Sequence, residues 1–255
     1  MKTAVFLAKL GDRIISTMVG VLILVMLLYG GYSLWDTAML YRGAFTSNDL
    51  MKYKPAEDGT GGPTLEELRK LNPDVRGWLT VDDTHIDYPV VQGKTDMEYV
   101  NKDVYGEFSL SGAIFMDSRN AADFSDSYNL VYGHHMANGA MFGDITSFVE
   151  QKYFDAHKTA RLYHLDGSVS EITLYACVEA DAYDEKIYRT DSWTPDNLAD
   201  LLNYVQQKAV QYRDIGITGN DQLIALSTCA EAETNGRVIV FGRLEQKTQV
   251  QEGGA

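Results

Sequence analysis

Cysteine is scarce in this 255-residue chain, which has two, Cys177 and Cys229. That number excludes a disulfide-stapled scaffold and a zinc site of four thiolates. Basic charge is also short, with 22 Lys and Arg against 36 Asp and Glu, so the formal net charge is 22 − 36 = −14. This balance argues against general nucleic-acid binding, where a basic surface supplies most of the affinity. No HExxH, CxxC or EF-hand spacing occurs, so no motif supports metal catalysis. There is no internal repeat and no low-complexity tract. The length suits one domain with a substantial core, plus appendages.

What the chain does have is one long apolar run. Residues 14–35, IISTMVGVLILVMLLYGGYSLW, carry no charge. At 1.5 Å per residue they are long enough to cross a hydrocarbon core of roughly 30 Å. Residues 1–13 hold Lys2, Lys9 and Arg13 against the single acid Asp12, and Asp36 follows the run. By the positive-inside rule the N-terminus is expected in the cytoplasm and the rest of the chain outside the cell. Tyr29, Tyr32 and Trp35 fit an outer interfacial belt. The run exceeds the usual 7–15 residues of a cleaved signal peptide, and Gly30-Gly31-Tyr32-Ser33 is only a faint cleavage site. A single-pass cell-membrane anchor is the expectation.

Residues 36–63 mix charged, small and Gly/Pro residues, ending in Asp58-Gly59-Thr60-Gly61-Gly62-Pro63. This composition predicts a linker. Thr64-Leu65-Glu66-Glu67 fits a capping box that opens a short helix ending before Asn72-Pro73. Eight strands are expected at 76–81, 86–92, 112–116, 128–132, 160–165, 168–178, 222–228 and 237–244, rich in Val, Ile, Tyr and Phe and bounded by Gly, Asp and Asn. So many strands with few helices imply a closed or sandwiched, mainly β core. One helix interrupts them, with Thr194 as cap, Pro195 at its first position, and Leu198, Leu201, Leu202, Val205, Ala209 and Tyr212 along one stripe. The domain is expected to span 64–245, with 246–255 a flexible tail.

Three places could carry chemistry. The apolar run 223–228 reads as a strand buried on both faces and ends at Cys229, before a polar loop. A thiol at a strand end can meet a substrate, whereas Cys177 sits mid-strand, where a thiol is buried and inert. A strand-end cysteine is nevertheless more often structural than functional. Residues 128–132 form a second β-type run, followed by Gly133 and His134. Histidine is the usual proton acceptor near neutrality and the usual partner of a nucleophilic cysteine, although a lone loop histidine is more commonly just hydrogen-bonded. The adjacent His135 would point to the opposite face if the pair is extended, so the two do not readily share a metal. Finally, Asn235-Gly236 marks a turn, and Arg237 opens the next strand. A hairpin with the strand ending at Cys229 would bring that guanidinium beside the thiol, where it could bind an oxyanion. Arg at a strand edge is otherwise a solvated charge, which is the reading of Arg243.

Together these segments resemble the sortase family, and within it class B. The nucleophile motif Thr-Leu-x-Thr-Cys stands as Ala225-Leu226-Ser227-Thr228-Cys229, the histidine as Gly133-His134, and the arginine as Arg237. The class B likeness rests on Asn72-Pro73-Asp74-Val75-Arg76-Gly77-Trp78-Leu79, Ile86-Asp87-Tyr88-Pro89-Val90-Val91-Gln92, Gly112-Ala113-Ile114-Phe115-Met116-Asp117 and Tyr132-Gly133-His134-His135-Met136. The likeness spans residues 65–244. Ala225 departs from the threonine that usually opens the motif.

The resemblance implies an eight-stranded β-barrel with an N-terminal helix and a long helix between strands six and seven. It also implies a cysteine transpeptidase of Gram-positive bacteria, anchoring secreted proteins to the cell wall. Cys229 would attack a carbonyl in a C-terminal sorting motif, His134 would protonate the departing amine, and Arg237 would stabilise the oxyanion. A peptidoglycan amine would then resolve the thioester. No cofactor or metal is implied, because the thioester conserves the energy of the cleaved bond. Tyr183, Ile187, Tyr188 and Ser227 are candidate substrate contacts, in a groove walled by the loop around 182–189 and the long helix. Two rivals are a membrane-tethered cysteine peptidase that uses water and a catalytically silent surface binding domain.

Overall fold

A computed structural model describes residues 2–42, 44–56, 64–229 and 235–249. The chain divides into two units, the first ending at Arg42 and the second beginning at Gly43. In the first, a single α-helix runs over Lys2–Arg42. Its segment Lys9–Met39 contains an 18-residue stretch with a mean hydropathy of 2.3 and is long and apolar enough to cross a membrane.

The second unit is built on ten strands: β1 (Val75–Val81), β2 (Asp87–Val91), β3 (Ile114–Met116), β4 (Tyr128–Tyr132), β5 (Thr159–His164), β6 (Ser168–Asp181), β7 (Ala209–Tyr212), β8 (Gln222–Cys229), β9 (Gly236–Leu244) and β10 (Thr248–Gln249). Eight of these follow one another in the order β6-β5-β1-β2-β3-β4-β8-β9, and β9 pairs back onto β6, so the sheet closes into an eight-stranded barrel. Closure removes the exposed edges that an open sheet would leave. All eight strands read from the sequence are present, with no end shifted by more than three residues. β4 and β8 are fully embedded in the sheet and run parallel, Tyr132 pairing with Ser227. That burial on both faces is why residues 223–228 read as a continuous apolar run.

The two further strands were not expected. Residues 209–212 leave the long helix and pair with β6 across Ala176–Val178. That helix covers Leu198–Lys208 alone, so Ala209 and Tyr212 belong to a strand rather than to its stripe. Val210 and Tyr212 favour extended backbone, and a sheet edge was within reach. Thr194 does not cap the helix with its side chain. Its N–H and hydroxyl instead donate to Asn197 Oδ1, at 2.7 and 3.3 Å. The helix lies between the sixth and seventh barrel strands, and Leu198, Leu201 and Val205 are fully buried in one core cluster with Tyr175, Ile187 and Phe241. Residues 248–249, expected to be frayed, pair with Val169 and Ser168. Residues 250–255 lie outside the described residues.

The short helix forms at Leu65–Leu71 and stops at Asn72 as expected, but Thr64 makes no side-chain cap bond. The capping box therefore acts only through the backbone, Glu67 N donating to Thr64 O at 2.9 Å. Residues 44–56, read from composition as linker, pack on the barrel. Ala44 is buried and its carbonyl accepts from Tyr88 Oη at 2.8 Å. Thr46 Oγ1 donates to Asp87 O at 2.5 Å, and Lys54 Nζ pairs with Asp87 Oδ2 at 2.8 Å. Residues 57–63, including the Gly-rich stretch, lie outside the described residues.

Candidate active site

Parallel pairing of β4 and β8 sends both strands out of the barrel at the same end, so the segments that follow them are neighbours. Gly133 N donates to Ser227 O at 3.1 Å, and Thr228 Oγ1, itself buried, donates to Gly133 O at 2.8 Å. The residue before Cys229 thus grips the residue before His134. Gly133 is required there, because a Cβ would fall 2.5 Å from the Phe142 ring and 2.6 Å from Ile114. On the other side, antiparallel pairing of β8 with β9 sets Cys229 opposite Arg237, and β6 sets Ala180 opposite Arg237. The hairpin read from Asn235-Gly236 is therefore present. Its connecting residues 230–234 lie outside the described residues.

These elements line a cleft of about 460 Å³. Its walls include His134 and Arg237, Ser227 and Thr228 from β8, Tyr132 and Phe115, and Ala182 and Tyr188 from the loop after β6. His134 is half-buried, and its Nε2 lies 2.7 Å from the carbonyl oxygen of Val100. A carbonyl only accepts, so Nε2–H is the donor in this hydrogen bond. Gly112, at φ +62°, lets Val100 come this close: a Cβ there would lie 2.6 Å from Val100 O and 3.0 Å from His134 Cδ2. His135 is exposed and does not line the cleft. Arg237 is half-buried and lines it, with Nη1 donating to Gly236 O at 2.9 Å.

The four candidate substrate contacts separate. Tyr188 and Ser227 both line the cleft and are bonded to each other, Oη to Oγ, at 2.9 Å. Tyr183 is 78% exposed and stands outside the lining. Ile187 is fully buried among Leu198, Leu201 and Tyr175. Its side chain packs into the core and does not line the cleft, whereas Tyr188, roughly 100° further round the single helical turn Glu185–Tyr188, does line it. The long helix likewise supports the wall from beneath.

A buried polar network behind the wall had no signal in the residue reading. Asp117 is fully buried and accepts from Arg119 Nε at 2.9 Å, Arg119 Nη2 at 2.6 Å, Tyr132 Oη at 2.8 Å and Thr190 Oγ1 at 3.1 Å. Burial alone would raise its carboxyl, but the donors Arg119 and Tyr132 outweigh burial and hold it below the ordinary range. Cys177 is a free, fully buried thiol, and burial pushes it up to about 12. Among the described residues, no group of three or more His, Cys, Asp or Glu is arranged to hold a metal ion.

Comparison with known proteins gives one answer. The sortase domain matches residues 79–245. Sortase B of Listeria monocytogenes is 34% identical over 185 residues, covering 72% of this chain and 74% of its own. Sortase B of Staphylococcus aureus is 31% identical over 184 residues, covering 71% and 75%. Among solved structures, Clostridium perfringens sortase B superposes with a TM-score of 0.66 at 34% identity, over 71% of this chain and 99% of that one. A Streptococcus pyogenes class B sortase involved in pilus biogenesis does so with a TM-score of 0.64 at 42% identity, over 71% and 97%. With its closed eight-stranded barrel and its cleft at the end of β4 and β8, this chain belongs to the sortase family of cysteine transpeptidases, in class B.

Proposed function

We propose that the protein cleaves a C-terminal sorting motif of secreted proteins through a thioester on Cys229 and transfers the acyl group to a cell-wall peptidoglycan amine. The observation that carries this reading is the convergence of His134 and Arg237 on one cleft, at the end of the strand where Cys229 pairs with Arg237. The Cys229 thiolate attacks the scissile carbonyl, and the Arg237 guanidinium neutralises the oxyanion as the tetrahedral centre forms. Collapse breaks the C–N bond. The leaving nitrogen takes its proton from His134 Nδ1, while Nε2–H stays on Val100 O. An incoming amine gives its proton back to Nδ1 and attacks the thioester, returning the thiolate. Transfer outcompetes hydrolysis only if the amine is held in position, since water is always present. Tyr188 and Ser227 are the side chains we assign to substrate contact.

The helix Lys9–Met39 would hold the enzyme in the cell membrane with its N-terminus inside, which leaves the cleft where exported substrates emerge. Of two enzymatic readings, the transpeptidase and a water-using peptidase, family membership favours the first. Incubating residues 44–255 with a sorting-motif peptide, with and without an amine acceptor, tests it. The expected result is an amine-containing product that disappears in Cys229→Ala. Product without amine in every case would show hydrolysis instead.

A further inference from the structure

The Asp117–Arg119 pair stands apart from ordinary surface ion pairs because its two ends tie together segments far apart in sequence. Arg119 Nη2 donates to the carbonyl oxygen of Tyr188, 69 residues away, at 2.5 Å, while the same guanidinium grips the buried Asp117 through two parallel bonds. Thr190, from the same loop, donates to Oδ1 of that carboxylate, the oxygen that also accepts from Arg119 Nε. The Tyr188 ring stacks on Tyr132 with centroids 6.3 Å apart and planes 13° apart, and Tyr132 is a further donor to Asp117. Through its hydroxyl Tyr188 then reaches Ser227, two residues before Cys229. Arg119 itself lines the cleft, with 37% of its side chain exposed.

We infer that Arg119, anchored by Asp117, is a positioning residue for the substrate cleft. It fixes the wall at 182–190, and through Tyr188 it aims the Ser227 hydroxyl at the bound peptide. The planar fork suits the arrangement, because one guanidinium serves a carboxylate and a carbonyl at fixed angles, which an ammonium can only partly reproduce. An ion pair whose only role was stability would gain little from this geometry, since the desolvation of the buried Asp117 offsets much of its Coulomb energy. The inference rests on the reading of the cleft as the sorting-peptide site and adds a determinant of how tightly the peptide is held.

The experiment compares the full chain in detergent with Arg119→Ala and Arg119→Lys. It uses three readouts: hydrogen exchange at 182–190, steady-state kinetics on a quenched fluorogenic peptide selected from a library with the unmutated chain, and alkylation of Cys229 by iodoacetamide. Arg119→Ala is expected to speed exchange in that loop and to raise KM roughly tenfold, with kcat held within about twofold and alkylation unchanged. Arg119→Lys is expected to recover part of the KM, and it carries the same comparison if Arg119→Ala does not fold. Unchanged exchange and KM in a folded variant overturn the inference. So does a loss carried by kcat together with slowed alkylation. If the unmutated chain cleaves no peptide, the functional reading fails by itself, and the exchange data still decide whether Arg119 holds the wall.

Discussion

Cys177 and His164 show how burial dominates the chemistry of a side chain. Cys177 is fully enclosed in β6, and its thiol is pushed from about 9 up to about 12. It stays protonated at neutral pH, so iodoacetamide at pH 8 is expected to modify one cysteine in the folded protein and two after denaturation, read by intact mass. Modification at Cys177 in the native protein would contradict its burial. His164 is 3% exposed, with Nε2 3.0 Å from Ser170 Oγ, and burial lowers it from 6.5 to about 4. An unfolded chain therefore binds this proton at higher pH than the folded one. The stability His164 contributes is complete above about pH 6.5 and is lost as pH falls toward 4, by about 3 kcal/mol in all. Urea midpoints measured across that window should fall, and His164→Gln should flatten the slope. At the site, His134→Ala and Arg237→Ala are each expected to cut kcat/KM by roughly 100-fold or more. A smaller loss, seen with the same peptide, would remove them from the chemistry.

At the scale of elements, the cleft depends on two strand ends held in register by a glycine. Gly133→Ala places a Cβ 2.5 Å from Phe142 Cγ, so β4 must shift and carry His134 with it. The expected outcome is a drop in kcat of roughly 100-fold with Cys229 still present, measured beside a circular-dichroism check of fold. The helix Leu198–Lys208 makes a different contribution. Leu201 is fully buried in the core cluster, and Leu201→Ala should cost about 2–5 kcal/mol, seen as a lower denaturant midpoint. Ile187→Ala should behave in the same way, lowering stability before it changes KM. The eight barrel strands were legible because apolar runs and turn residues bracket each of them. β7 was not legible, since Ala209-Val210-Gln211-Tyr212 continues a helical stripe equally well. Only the presence of β6 as a pairing edge decided it.

For the whole molecule, the domain boundary is the feature most changed by structure. Residues 44–56 have the composition of a tether, yet Leu50 joins a core cluster with Leu65, Leu68 and Trp78, and Asp87 binds Thr46, Lys54 and Trp78 Nε1. A protein starting at residue 44 is expected to be folded and active, while one starting at residue 64 should melt several degrees lower, because it gives up these bonds and the burial of Ala44 and Leu50. Equal melting temperatures would restore the tether reading. Charge also divides along the chain. Residues 1–35 hold three bases and one acid, so the remainder carries 19 Lys and Arg against 35 Asp and Glu, or −16.

The sequence by itself determined the apolar helix, the eight barrel strands and the three residues expected to do chemistry. Those features are local: periodicity, turn residues and a short motif at the end of a strand. Tertiary structure decided which strands close the barrel, that β4 and β8 leave it side by side, and that Ile187 faces the core while Tyr188 faces the cleft. It also decided the Asp117–Arg119 network, whose partners lie up to 73 residues apart. No local pattern encodes such a network, because its energy exists only once a carboxylate has been buried and its donors have been brought to it from separate segments.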